Sequence, residues 1–258
     1  MKNLGKYSSS LFAVLVYAFL YIPIIVLIVF SFNSKGFPSP FEHFTWHWYK
    51  ELFQTTELWA SFFNSFFVAT VSTFLSLALG VMLLFFQALG GKIDKSLPLF
   101  YGNLVIPETV LALGLISYFS FLDIPLGVHT LIVSHTVLGL GFVIPILYTR
   151  AVSLDPRLKE ASLVLGATQA QTFFKITLPQ LKPAMISIGL LIFVVSFDDF
   201  ILSYFCSGTS FQTLSIYLVS SIRYGISPVV NALSAILLLV TGFFVAIFFS
   251  PKIRTRIF

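Results

Sequence analysis

Six long apolar runs, at about residues 11–32, 62–87, 99–122, 127–148, 184–206 and 229–250, dictate the architecture open to this chain. As a helix, each is long enough to cross a hydrocarbon layer about 30 Å thick, which takes about 20 residues at about 1.5 Å per residue. Hydrophobic residues make up 57% of the chain and charged ones 10%, far from the roughly 25% charged content of an average soluble domain. The expected fold is an all-α membrane protein with six transmembrane helices. The third run contains Pro107 and Glu108, which predicts a broken or late-starting helix. The first outlasts the core of a secretory signal, about 7–15 residues, and is read as a span.

The charged residues fall between the runs. With the amino terminus inside, Lys2, Lys6, Lys92, Lys95, Arg150, Arg157, Lys159, Lys175, Lys182, Lys252, Arg254 and Arg256 lie on the inner side, against Lys35, Lys50 and Arg223 outside. That is the bias expected of cytoplasmic loops, so both termini are expected in the cytoplasm. The net charge of +5 is thereby a topology signal; no basic stripe with interleaved aromatics suggests nucleic acid. The single cysteine, Cys206, leaves no thiol pair for a disulfide or a zinc site. His43 and His47 stand four apart but lack further ligands, so no metal is expected.

Two connections carry structure of their own. In the outer loop, Trp46, Trp48, Tyr49, Leu52 and Phe53 recur at the spacing of a short amphipathic helix lying along a membrane surface. The inner loop, 151–183, is punctuated as two short helices. Asp155 caps the first, Pro156 takes its first position and Gly166 ends it. Thr168 and Gln171 have capping-box spacing for the second, with Pro179 placed just past its end. Leu158, Ala161, Leu165, Phe173, Phe174 and Ile176 exceed what a solvated loop needs, so the loop buries an apolar side either under its own bundle or on a partner.

Within this loop, Glu160-Ala161-Ser162, then Gly166, then Ile176-Thr177-Leu178-Pro179 after nine residues, resembles the signature of permease subunits in ABC importers, Ser162 being the one departure. The resemblance implies a type I importer permease fold in which residues 160–179 form a coupling helix docked on a cytoplasmic ATPase. Glu160, Ala161, Ser162, Gly166, Ile176, Leu178 and Pro179 are its expected contact residues. No phosphate-binding loop of the form Gly-x4-Gly-Lys-Ser/Thr is found, the nearest approach being Gly90-Gly91-Lys92-Ile93. ATP and magnesium are therefore expected on a partner, and this chain is expected to translocate without being an enzyme.

Tyr21-Ile22-Pro23, Trp48-Tyr49, Asn64-Ser65, Pro107-Glu108, Phe197-Asp198-Asp199-Phe200, Arg223-Tyr224-Gly225-Ile226-Ser227-Pro228 and Asn231-Ala232 are together similar to the spermidine/putrescine branch of these permeases. That implies a second, homologous permease, two ATPase subunits, an external solute-binding protein and a polyamine cargo. The domains expected are a tail and first span at 1–33, an external loop at 34–60, a permease core at 61–250 and a tail at 251–258.

Glu108, Asp198 and Asp199 are acids at membrane depth, where ionisable groups are costly and face a cavity or a partner. They suit a pathway for a cation, and aromatic neighbours such as Phe197, Phe200, Tyr101, Tyr118 and Tyr204 suit its methylenes and ammonium groups. Adjacent residues point about 100° apart on a helix, so at most one of Asp198 and Asp199 faces a central path directly. The alternative for Asp198 and Asp199 is a hydrogen bond to a neighbouring helix or to backbone amides, and for Glu108 a place at a helix start beside Pro107. Other readings left open by the residues are a permease for phosphonates, opines or other amines, a proton-driven carrier, a subunit without a path, and a membrane enzyme. For the last, His135 is a lone candidate, better placed for a bond between helices.

Overall fold

The computed structural model describes residues 2–36, 39–93, 95–223 and 228–248, with side chains described between Phe12 and Gly242. It divides into two compact units, 1–59 with 218–258, and 60–217. Among the described residues every named element is a helix, and one isolated bridge joins Asn33 to Phe44.

The first unit contains α1 (Lys2–Phe30), α2 (His47–Gln54), most of α11 (Leu214–Arg223) and α12 (Pro228–Phe248), with α1 and α2 each packed on α12. α1 is apolar on every face, and from Phe12 to Phe30 none of its residues is buried. The expected surface helix is α2. The loop before it is folded around Asn33, which is fully buried and donates to the carbonyls of Lys35 (2.8 Å) and Pro40 (3.1 Å) while accepting from the Glu42 amide (2.9 Å). The Asn33 carbonyl in turn accepts from the indole of Trp48 at 2.6 Å. Phe32 stacks on Phe44 and Tyr49, both at 5.0 Å, which completes the exit from the first span.

The second unit is built on α3 (Thr56–Ala88), α6 (Val128–Val152) and α9 (Leu178–Asp198). α3 meets α6 along Ser72, Ser76 and Gly80, one small residue per turn. The Ser72 and Ser76 hydroxyls donate to the carbonyls of Ile132 (3.3 Å) and Thr136 (3.2 Å). A Cβ at Gly80 would collide with Val143, and one at Gly139 with Ser76. Such small-residue seams replace the hydrophobic drive that lipid cannot supply. Toward the 151–183 loop the seam gives way to an apolar cluster of Leu84, Val143, Leu147, Phe173, Leu181, Ile188 and Ile192.

The expected third span is broken. α4 (Leu97–Val105) and α5 (Glu108–Phe121) meet at 117°, with Ile106 extended at φ −67°, ψ 129°. Pro107 forces that geometry on the residue before it. The fifth run is broken too, which the sequence did not suggest: α9 stops at Asp198, and α10 (Ile201–Cys206) starts after Asp199 and Phe200. Four described helices are long and apolar enough to cross a membrane, or five if the bent pair counts as one span. The expected sixth, 229–250, runs past the described residues, as do residues 224–227 of the resemblance and the tail 251–258.

Candidate functional site

The inner loop folds as its punctuation predicts up to Thr172. In α7 (Pro156–Val164) the Asp155 carboxylate accepts from the Arg157 amide at 2.9 Å, with Pro156 in the first turn. Gly166 adopts φ +85°, and the amides of Gly166 and Ala167 close the helix end on the carbonyls of Leu163 and Ser162. A Cβ at Gly166 would meet nothing within 4 Å, so glycine is required here by its left-handed backbone. α8 (Gln169–Thr172) opens with the expected capping box between Thr168 and Gln171.

The second helix does not end before Pro179. A π-helical turn, Phe173–Thr177, runs directly into α9, where Pro179 occupies the first turn. Proline has no N–H and its ring crowds the carbonyl four residues back, so widening the preceding turn lets the chain continue where an α-helix would stop or kink. The Gln180 side-chain amide also donates to the Ile176 carbonyl at 3.0 Å.

The apolar residues of the loop divide between two fates. Phe173 is 2% exposed in the inner cluster, and Ile176 is half-buried. Val164 and Leu165, at the tip beside Gly166, are both 87% exposed; Leu158 and Phe174 are exposed as well. Glu160 and Ala161 lie on the exposed side, as does Pro179, with Leu178 half-buried. Ser162 faces inward, buried, and its hydroxyl lies 2.9 Å from that of Thr172, so the departure from the signature ties α7 to α8.

The second constellation lies where both broken spans break. The Asp199 carboxylate accepts from the amides of Leu202 (3.4 Å) and Ser203 (2.9 Å), fastening the start of α10. Nε2 of His135, on α6, stands 3.4 Å from Oδ2 of Asp199 and 3.5 Å from the Ser203 hydroxyl. On the other edge of the ring, Nδ1 pairs with the Ser196 hydroxyl at 2.6 Å. Glu108, at the start of α5, is near enough to Asp199 for the two carboxyl groups to interact. His135 and Asp199 are buried, with side-chain exposures of 1% and 2%. Asp198 is exposed, and Glu108 is intermediate.

The structure therefore brings Glu108 and Asp199 together and turns Asp198 the other way. Asp199 makes the bonds to backbone amides and to a neighbouring helix that are the alternative to facing a path. His135 bonds between helices, with no exposed nucleophile beside it. Ser196 and Ser203 belong to this node and were missed; the available signal was Asp199 standing ahead of the apolar run at 201–206, as helix-capping residues do. A row of rings joins α3 to α9 up to Phe197, the residue before Asp198: Phe66 packs on Phe193 (5.5 Å), Phe193 on Phe197 (5.9 Å) and Phe197 on Phe62 (5.6 Å). Among the described residues no three metal-ligating side chains cluster.

Residues 96–255 match the family described as binding-protein-dependent transport system inner membrane component. The chain is 35% identical over 234 residues to the spermidine/putrescine transport system permease protein PotC of Haemophilus influenzae, covering 89% of this chain and 90% of that protein. To the protein of the same name in Escherichia coli it is 36% identical over 241 residues, covering 92% and 91%. Its fold is similar to a chain of a bacterial ABC transporter involved in the import of the acidic polysaccharide alginate, with a TM-score of 0.72 at 16% identity over 96% of this chain and 94% of that one.

Proposed function

The chain belongs to the binding-protein-dependent transport system inner membrane component family, and from that premise we propose that it is the permease subunit of an ABC importer carrying polyamines such as spermidine and putrescine into the cytoplasm. It is a multi-pass membrane protein. The observation that carries the reading is the inner loop: a capped helix with a left-handed glycine at its end holds Val164 and Leu165 out, both 87% exposed. A protruding apolar tip on a rigid base is suited to a groove on another protein and ill suited to solvent.

The occupant of the other side is an ATPase subunit, which binds ATP and magnesium. Glu160, Ala161, Gly166 and Pro179 are on the face open to it, whereas Ser162, Ile176 and Leu178 hold the helix to its base. Two such ATPases, a second homologous permease and an external solute-binding protein complete the importer. Both termini lie on the ATPase side, in keeping with the distribution of lysine and arginine.

For the cargo, the names of the relatives are supported by the chemistry of the node. Asp198 is exposed and makes no ion pair among the described residues, where the pairs are Lys35–Glu42, His47–Glu51 and His135–Asp199. A carboxylate beside a row of phenylalanines offers charge to an ammonium and aromatic faces to the methylenes between ammonium groups. In this reading Asp198 and Glu108 meet the cation, and Asp199 supports both from behind.

The test is reconstitution of the complex that co-purifies with this chain in mild detergent. Proteoliposomes loaded with ATP are expected to accumulate labelled spermidine or putrescine, with ATP hydrolysis stimulated by the polyamine and its binding protein. Uptake driven by a proton gradient without ATP would overturn the ABC reading. ATP hydrolysis indifferent to polyamines but stimulated by another solute would overturn the cargo.

A further inference from the structure

The corner between α9 and α10 is a weak point in the backbone: Asp199 is extended at φ −65°, ψ 128°, and leaves the helical path between two short-range ladders. A bare break of this kind inside a membrane must be held by side chains, because no water is present to satisfy or stiffen it. One imidazole does so from both sides. Nδ1 of His135 takes Ser196, in the last turn of α9, at 2.6 Å, and Nε2 faces Asp199 and Ser203, beyond the break, at 3.4 and 3.5 Å. Between the two gripped points lies Asp198, which is exposed and touches none of them.

We propose that His135 is a positioning residue for the cargo path, gripping both sides of the α9–α10 corner and so fixing the direction in which Asp198 is presented. The proposal rests on the reading of Asp198 as a cation-facing group. His135 itself does not meet cargo, being 1% exposed. With Nε2–H turned to Asp199 and Ser203, Nδ1 is left to accept the Ser196 hydroxyl proton, so both edges of the ring are engaged. The same contact sets Asp199. The ring therefore ties α6, α9 and α10 at one point, and loosening it changes the geometry of the acids while leaving their number unchanged.

The chemistry separates three substitutions. His135→Phe keeps the ring volume and loses both polar edges; His135→Gln keeps an amide donor where Nε2 stood; Ser196→Ala removes the α9 grip alone. In the full reconstituted complex, His135→Phe is expected to raise the polyamine concentration giving half-maximal ATP stimulation about ten-fold, as removal of groups that orient a site characteristically does. The maximal rate is expected to change by less than about two-fold, and His135→Gln to recover to within about three-fold of the parent. Because one of its two grips is on Asp199, His135→Phe is expected to add less to Asp199→Asn than it costs alone, the remainder being the lost Ser196 grip.

Half-saturation unchanged in His135→Phe, equal losses in the Phe and Gln variants, or full additivity with Asp199→Asn would each overturn the proposal. Should His135→Phe fail to assemble, Ser196→Ala decides: a rise of about three-fold supports the grip, and an unchanged value removes it. Asp198→Asn, measured alongside, reports on the pathway reading. An unaltered half-saturation there with a shifted one in His135→Phe would leave a positioning role without Asp198 as its object, and so overturn the proposal as stated.

Discussion

The inner loop and the polar node are both turning points of the same unit, and they are secured over different sequence distances. In the loop, the holding bonds join residues two, three and ten apart: Asp155 to Arg157, Thr168 to Gln171, Ser162 to Thr172. At the node, His135 reaches across 61 and 68 residues to Ser196 and Ser203. A turn built from local bonds keeps its shape as a rigid body when pushed from outside, which suits a part that meets another protein. A turn built from long-range bonds depends on how whole helices are packed, which suits a part that must respond when they shift.

If the loop acts as a rigid lever, disturbing its end should have the largest effect of any single change. Gly166→Trp forces a residue with a Cβ into φ +85° and puts an indole beside the exposed tip. The backbone cost of about 1–2 kcal/mol alone is about ten-fold, and with the blocked face transport is expected to fall on the order of 100-fold. Insertion in the membrane should be normal, and ATP hydrolysis should no longer respond to cargo. Full transport by this variant in proteoliposomes would remove the docking role.

The node side of the comparison is sharpened by Asp198→Asn, which takes a charge from the path and leaves the packing intact. Half-saturation for polyamine should rise about ten-fold with assembly unchanged, as for loss of one charged contact in a water-poor site. An unaltered uptake curve would assign Asp198 to lipid or to a subunit contact. The smallest effect is expected from Ser162→Ala, which restores the common signature residue but strands the Thr172 hydroxyl. The cost is about 1 kcal/mol, seen as about five-fold faster hydrogen exchange of the α7 amides with transport little changed. Exchange equal to that of the parent would show that the hydroxyl pair carries no weight.

The same contrast explains what could be read from the amino-acid order. Asp155-Pro156, Thr168 with Gln171, and Gly166 specify their turns through neighbours, so the loop was legible almost residue by residue. The break at Pro107 was legible for the same reason. The π turn was not, because it is a shift of hydrogen-bond register with no residue of its own; Pro179 marks only that an ordinary α-helix cannot pass unchanged. The break after Asp198 and the gathering of Glu108, His135 and Asp199 depend on the Ser72–Ser76–Gly80 seam and on which faces of α6 and α9 meet. Hydropathy fixes the presence of spans and says nothing of their rotation. Asn33 likewise reads as the end of an apolar run until its loop is seen wrapped around it.

The first span has a thermodynamic consequence. From Phe12 to Phe30 no residue is buried within the chain, so that surface is always covered by lipid, detergent or another subunit. Whatever covers it binds the folded form and draws the folding equilibrium with it by mass action. A melting temperature measured on this polypeptide is therefore a function of the concentration and identity of its surroundings, and variants are comparable only when titrated against the same partners in the same lipid.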